Sequence, residues 1–485
     1  MRAVLLLACF CSTIFATAQN NKPAVGYSIN IKLTPIKNSW VYLYNYYGKD
    51  RFQIADSVKL NENSEGIFKG NKKLHGGIYL VVTERKMRLF DLLMEEDQEF
   101  SIVADTSRPE KPTIIGSKEN TLYQEYAKFL ESVGPKLNGL KQQLSFATTK
   151  QDSTAIQQQM TSANNELKEY RENIVKTYPE SMLASFFNTM KMPEVPTELP
   201  TKADGTKDSA YPYRFIQEHY WDDVDFADDR LVRTPFFEPK LEEYFKYYVA
   251  PDADSIIKEV KYMLLYSREA REMYRFLLAK FTNKYINPEI MGQDKVFVYL
   301  FENHYLKGDT TILSEKDKET IFKRGWSLIA NQIGEPAPLL NLVNAAGKST
   351  PMHNIQSPYT FVIFWDPNCG HCKETVPKVD SIYQAKWKAM GVKIYAVNVD
   401  ENTLKAWDEF IGKHKLEHWT HVYQTKAQRD AESASGQPNF RQLYDVYKTP
   451  TLYLLDEQKR IIAKNLDVYG FDEVLTAKQR SKSKK

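Results

Sequence analysis

Cysteine is scarce in this chain. Its 485 residues contain four, at positions 9, 11, 369 and 372. The first two lie in an N-terminal stretch that reads as a removable export signal, so the mature chain keeps one Cys-x-x-Cys pair. A second pair is missing, and structural zinc, which takes four ligands and normally two such pairs, is excluded with it. A stabilising disulfide framework is excluded as well, because closing so short a loop restrains little of the unfolded chain. An excess of one charge is lacking too. Lys and Arg number 65 against 62 Asp and Glu, for a net +3, without the concentrated basic patch of a dedicated nucleic-acid binder. The one dense basic run, Lys478 to Lys485, reads as a frayed, solvated terminus. Past the leader no segment approaches the ~20 apolar residues that cross a bilayer, so no membrane span is expected. Internal repeats and low-complexity tracts are also absent.

What is present begins with "MRAVLLLACFCSTIFATAQN". Arg2 supplies a positive start, Val4 to Phe15 is mostly apolar, and Ala16-Thr17-Ala18 is a small-residue cleavage pattern. Residues 1–18 therefore read as a signal peptide with Gln19 as the mature start, which places the protein in the periplasm. Leu6-Leu7-Ala8-Cys9 fits a bacterial lipoprotein box, but cleavage there leaves too short an apolar region, which argues against anchoring through Cys9.

Three domains are expected after the leader. Residues 19–116 carry short runs rich in β-branched and aromatic residues ("YSINIKL", "SWVYLYNYY", "IYLVVT", "EFSIVA") with turn chemistry between them. They predict a small antiparallel β sandwich, with Tyr42, Tyr44 and Tyr46 in its core. Residues 117–332 change to helical spacing, from Leu122, Tyr126, Phe129 and Val133 onward, with Gly134-Pro135 expected to kink or divide the first run. "MPEVPTELPTKADGTKDS" is a loop within an otherwise all-α domain. Residues 333–485 alternate β-α-β-α-β-β with continuous apolar strands, which predicts an α/β domain whose sheet is covered on both faces.

The pair sits in "FVIFWDPNCGHCKET", where a strand gives way to a helix. Free amides of a first helical turn and the helix dipole stabilise an anion there, so the first thiol ionises readily. Cys369 is expected to attack a partner disulfide. Cys372, one turn into the helix, is expected to be buried and to resolve the mixed disulfide. His371, between them, can donate to the Cys369 thiolate or favour it electrostatically.

These residues resemble an extracytoplasmic thioredoxin-fold thiol-disulfide oxidoreductase of the TlpA/ResA-like group. Phe364-Trp365, Cys369-Gly370-His371-Cys372, Lys373, Pro377 and Thr449-Pro450 all fall where that family has them. The resemblance implies a thioredoxin fold and a cis Pro450 beside the disulfide. It implies substrate positioning by Thr449, Pro450 and Trp365, and tuning of the couple by Gly370 and His371. It also implies no cofactor or metal beyond the Cys369–Cys372 disulfide, protein thiols or disulfides as substrates, and an upstream membrane electron donor. "DSVKLNENSEGIFKG" with "GGIYLVV" resembles the β domain that precedes such domains in Bacteroidota, and "HYWDDVDFADDRLVRTPFFEPKLEEYF" resembles their helical companion. Nothing in the sequence sets the oligomeric state.

There are departures from the family pattern. Thioredoxin proper has a buried acid six residues before the first cysteine, where this chain has Ile363. The proline of a CxPC reductase is replaced by His371. Asp366 and Glu374 are the nearby carboxylates and read as solvated or capping groups. His414, His418 and His421 lack a convergent spacing for a metal, since a separation of three on a strand puts His418 and His421 on opposite faces. The acidic run from Asp222 to Asp229 lacks the glycine and closing glutamate of a calcium loop, and the ring-rich stretch around Tyr244, Phe245, Tyr247 and Tyr248 reads as core. Two rival functions are a thiol peroxidase and a glycan- or protein-binding module with an auxiliary redox domain. The first needs Thr or Ser and Pro at positions held here by Asp366 and Val362.

Overall fold

The computed structural model describes residues 26–311 and 313–482. The leader, with Cys9 and Cys11, lies outside them. The described chain forms two compact units, one ending at Glu243 and the other starting at Tyr244.

The first unit opens with eight strands: β1 (Tyr27–Thr34), β2 (Trp40–Tyr46), β3 (Phe52–Lys59), β4 (Glu65–Gly70), β5 (Gly77–Thr83), β6 (Arg88–Met94), β7 (Glu99–Asp105) and β8 (Thr113–Ile115). They form two sheets, ordered β4-β1-β7-β8 and β3-β2-β5-β6. Pairing is antiparallel apart from β1 with β7, which run parallel. Period-two alternation builds the core: Ile29, Ile31 and Leu33 of β1 pack with Val41 and Leu43 of β2 and with Phe100 and Ile102 of β7. That alternation corrects the reading of two tyrosines. Val41 and Leu43 take the inward positions, so Tyr42 and Tyr44 lie half-exposed on the other face, their rings 6.3 Å apart, while Tyr46 is buried.

Helices follow: α1 (Lys118–Phe146), α2 (Lys150–Thr177), α3 (Met182–Met190), α4 (Tyr211–His219) and α5 (Phe237–Tyr247), the last spanning the division between units. Ser117 and Thr149 cap α1 and α2 by accepting from the amides of Asn120 and Asp152. Gly134-Pro135 does not divide the run, and α1 continues through it. Pro135 and Glu131, the residue whose carbonyl loses its helical donor, are both exposed.

The second unit begins with α6 (Ala253–Tyr266), α7 (Arg271–Tyr285), α8 (Asp294–Leu300) and α9 (Glu315–Ile329). After these come β9 (Asn341–Val343), β10 (Ser349–Pro351), β11 (Tyr359–Trp365), α10 (Gly370–Ile382), β12 (Val392–Asn398), α11 (Leu404–His414), β13 (Thr420–Tyr423), α12 (Lys426–Ser435), α13 (Phe440–Leu443), β14 (Thr451–Asp456), β15 (Ile461–Lys464) and α14 (Val468–Lys482). The strands make one seven-stranded sheet, ordered β10-β9-β13-β12-β11-β14-β15. Central β11 runs parallel to β12 and antiparallel to β14. All seven of its residues are buried. Phe361, Ile363 and Trp365 join the core beneath α10, and Val362 and Phe364 join the core of the opposite face. Phe471 and Leu475 are fully buried, and this apolar stripe docks α14, whose last turns carry the exposed residues 478–481.

Candidate active site

The site forms where β11 ends. Asp366 turns the chain: its carboxylate accepts from the Asn368 amide at 2.8 Å, and its carbonyl accepts from the Cys369 amide at 3.1 Å. Cys369 is thereby placed as the N-cap of α10, with extended backbone (φ −72°, ψ 125°), and its carbonyl takes the Lys373 amide at 3.1 Å. Its thiol therefore lies among the unpaired amides of the first helical turn. Across the site, the Thr449–Pro450 peptide is cis and leads into β14. The Cys369 thiol lies 3.4 Å from the Thr449 carbonyl.

The two thiols are free and differently housed. Cys369 is half-buried and Cys372 is fully buried. Burial alone pushes Cys369 up. Contacts with the Cys372 amide and thiol and with the His371 amide oppose it, and Cys369 is held below the ordinary cysteine value. Burial dominates at Cys372 and pushes it up to about 12, against weaker help from the Asp366 amide. One thiol is thus poised to ionise and the other to stay protonated.

The remaining residues singled out by sequence are distributed unevenly around this pair. The Thr449 carbonyl faces the Cys369 thiol, and Pro450 borders a cavity of about 310 Å³ also lined by Thr375, Lys378, Lys448 and Tyr469. Trp365 does not reach the surface. It is completely buried against Phe410, with ring centroids 5.2 Å apart, and so supports the site from below instead of meeting substrate. A strand covered on both faces leaves its last residue no route outward. His371 is exposed, and the contact it offers the thiol is its backbone amide. Gly370 is exposed, and a Cβ added there would meet nothing within 4 Å. Asp366 serves the turn, and Glu374 is exposed on α10. Ile363 pairs in register with Ala396, and both belong to the apolar core that holds Cys372. No carboxylate replaces the missing buried acid at that position.

The histidines disperse. His418 lies 2.8 Å from the Asp380 carboxylate, His421 lies 2.8 Å from the Leu416 carbonyl, and the His414 ring packs at a tilt on Phe410, centroids 4.3 Å apart. His418 falls before β13, outside the strand expected to hold it. In the acidic run, Asp228 is engaged by Arg230 and Ser185, and Asp225 accepts from the Ala227 amide. Sequence reading missed a buried ion pair in the second unit. Lys464 bonds the Asp294 carboxylate at 2.5 Å and the Asn331 side-chain oxygen at 2.7 Å. The available signal was a lysine two residues from Ile462 in an apolar strand.

Residues 358–461 match the family model described as thioredoxin-like. The C-terminal domain belongs to the thioredoxin-like family. It couples that fold to a dithiol at a helix start, the equipment of a thiol-disulfide oxidoreductase. Residues 27–123 and 148–325 match two domains of unknown function, DUF4369 and DUF5106. No curated protein matches the chain. Among solved structures, the thioredoxin-like chain is similar to a domain of a possible thiol-disulfide isomerase from Cytophaga hutchinsonii, at 31% identity over 32% of this chain and 97% of that one, with TM-score 0.27. It is also similar to a thioredoxin-like protein from Bacteroides caccae, at 20% identity over 59% and 99%, with TM-score 0.44. A third is a thiol:disulfide interchange protein from Bacteroides sp., at 25% identity over 31% and 90%, with TM-score 0.24.

Proposed function

We propose that this chain is an exported oxidoreductase that exchanges disulfides with protein substrates through Cys369 and Cys372. The observation that carries the reading is the asymmetry of the pair: a half-buried thiol held below its ordinary pKa, beside a fully buried one raised to about 12. Nucleophilic attack needs a thiolate, and resolution needs a partner that waits. In the reducing direction the Cys369 thiolate attacks one sulfur of a substrate disulfide. That bond breaks, and the other substrate sulfur leaves as a thiolate. Cys372 then attacks Cys369 and passes its proton to the departing sulfur. The Cys369–Cys372 disulfide forms, and the substrate gains two electrons and the proton of Cys372, while its first thiolate takes from solvent the proton that Cys369 released on ionising. Oxidation of a substrate dithiol is the same path reversed. The pair itself is the only redox group required. A membrane electron donor would restore the dithiol in a periplasmic setting, which rests on reading residues 1–18 as an export signal.

The test is reduction of a disulfide-bonded protein such as insulin by the full mature chain, with Cys369→Ser as control. The reading requires turnover by the native chain and none by the variant. Comparable activity in both would overturn it. Fractionation of cells expressing the chain with and without residues 1–18 tests export.

A further inference from the structure

The loop that carries Thr449 is gripped from one side by helix α9. Arg324 is the centre of the grip. One guanidinium nitrogen pairs with the Asp445 carboxylate. Another donates to the Ile286 carbonyl and to the Asn287 side-chain oxygen, both at 3.0 Å. Further along α9, the Ser327 hydroxyl lies 3.3 Å from that of Tyr447, and just past the end of the helix the Asn331 side chain donates to the Leu443 carbonyl at 3.0 Å. Lys323 and Arg324 lie over the Tyr447 ring at 5.2 and 5.6 Å. Residues 324 and 327 share one face of α9, and the partners 443, 445 and 447 alternate along the segment they hold.

That segment needs holding. Residues 444–450 adopt neither helix nor strand. Asp445 sits at φ 51°, in the left-handed region that Asp adopts more readily than most residues other than Gly. The Arg324–Asp445 pair is shielded, with side chains 16% and 10% exposed, so its charges are less screened than those of a surface pair would be. Four residues after Asp445 comes Thr449, whose carbonyl lies 3.4 Å from the Cys369 thiol.

We propose that α9, through Arg324, is a positioning element for the redox pair: it fixes residues 443–448 and thereby holds the Thr449 carbonyl against the Cys369 thiol. This rests on reading the pair as the redox centre, and it gives the helical segment ahead of the thioredoxin-like domain a chemical task. Arg324 acts through Thr449 and is not itself catalytic.

The test is a double-variant cycle in the full mature chain, read by ultraviolet absorbance of the Cys369 thiolate against pH. The Cys369 thiol donates to the Thr449 carbonyl only while it is protonated, so loosening that contact should let Arg324→Ala lower the Cys369 pKa by about half a unit. Arg324→Lys keeps the charge pair with Asp445 and should stay within about 0.2 unit of the native value. Asp445→Asn, tolerated at this φ, removes the charge pair from the other side and should lower the pKa by itself, and Arg324→Ala should add nothing on that background, because the two act in series. A folded Arg324→Ala chain with an unchanged pKa overturns the proposal, and so does an additive shift on Asp445→Asn. If Arg324→Ala fails to fold, Asp445→Asn alone decides, and an unmoved pKa is equally fatal. The titration needs no protein substrate. A native chain inert in disulfide exchange would sink the proposed function while leaving the cycle readable.

Discussion

Replacing His371 separates two ways in which that residue can act on Cys369. The imidazole is exposed, whereas the backbone amide bonds the thiolate. Proline removes the amide along with the ring, and alanine removes the ring alone. Position 371 is the second residue of α10, within the first turn where proline is tolerated, and Gly370 before it accepts the restriction proline imposes. A hydrogen bond to a charged acceptor contributes about 1.5–3 kcal/mol. Cys369 is partly exposed, so solvent screening reduces this to about 1 kcal/mol. At 1.36 kcal/mol per unit, His371→Pro should raise the Cys369 pKa by about 0.7 unit. Above that pKa the dithiol loses the same stabilisation, and the potential should fall by about 20 mV, from about 30 mV per 1.4 kcal/mol for two electrons. His371→Ala should move the pKa by less than about 0.2 unit. Thiolate absorbance gives the first quantity, and equilibration with glutathione gives the second. If alanine shifts both as far as proline does, the imidazole is the tuning group and the amide argument fails.

Other predictions concern the whole unit. The stability of the reduced protein relative to the oxidised form should rise with pH as Cys369 ionises, because its folded pKa lies below the unfolded one and the unfolded chain then holds more protons. Above the ordinary value of 9.0 it should fall, because folded Cys372 keeps its proton to about 12 while the unfolded thiol loses it. Urea titrations of both redox forms across pH would show this maximum, and a difference that never turns downward would contradict the burial of Cys372. Lys464→Ala strips Asp294 of its buried cation and should cost the C-terminal unit about 3–5 kcal/mol. A loss below about 1 kcal/mol in denaturation would class the pair with surface ion pairs.

What the sequence made legible were local features. Cys369 and Cys372 sit between an apolar run and a helix, and Thr449-Pro450 precedes another apolar run, so the fold and its dithiol could be read directly. The failures are matters of facing and of distance. Tyr42 and Tyr44 belong to a run where either alternate set could have pointed inward, and only packing against the second sheet selects Val41 and Leu43. Trp365 ends a strand whose every residue is covered, a property of its neighbours β12 and β14. Pro135 is accommodated inside a helix at an exposed position, which the local sequence does not announce. Arg324 with Asp445, and Asp294 with Lys464, are joined across more than a hundred residues, and no periodicity announces such partners. The helical segment's grip on the Thr449 loop was invisible for that reason.

The central claim is that Cys369 attacks and Cys372 resolves. Its most direct measurement is the mixed disulfide itself. Cys372→Ser and Cys369→Ser chains are each incubated with a disulfide-bonded protein, and covalent adducts are mapped by mass spectrometry. The account predicts a stable adduct on Cys369 in the first variant and none on Cys372 in the second. Adducts forming equally well on either cysteine would contradict it.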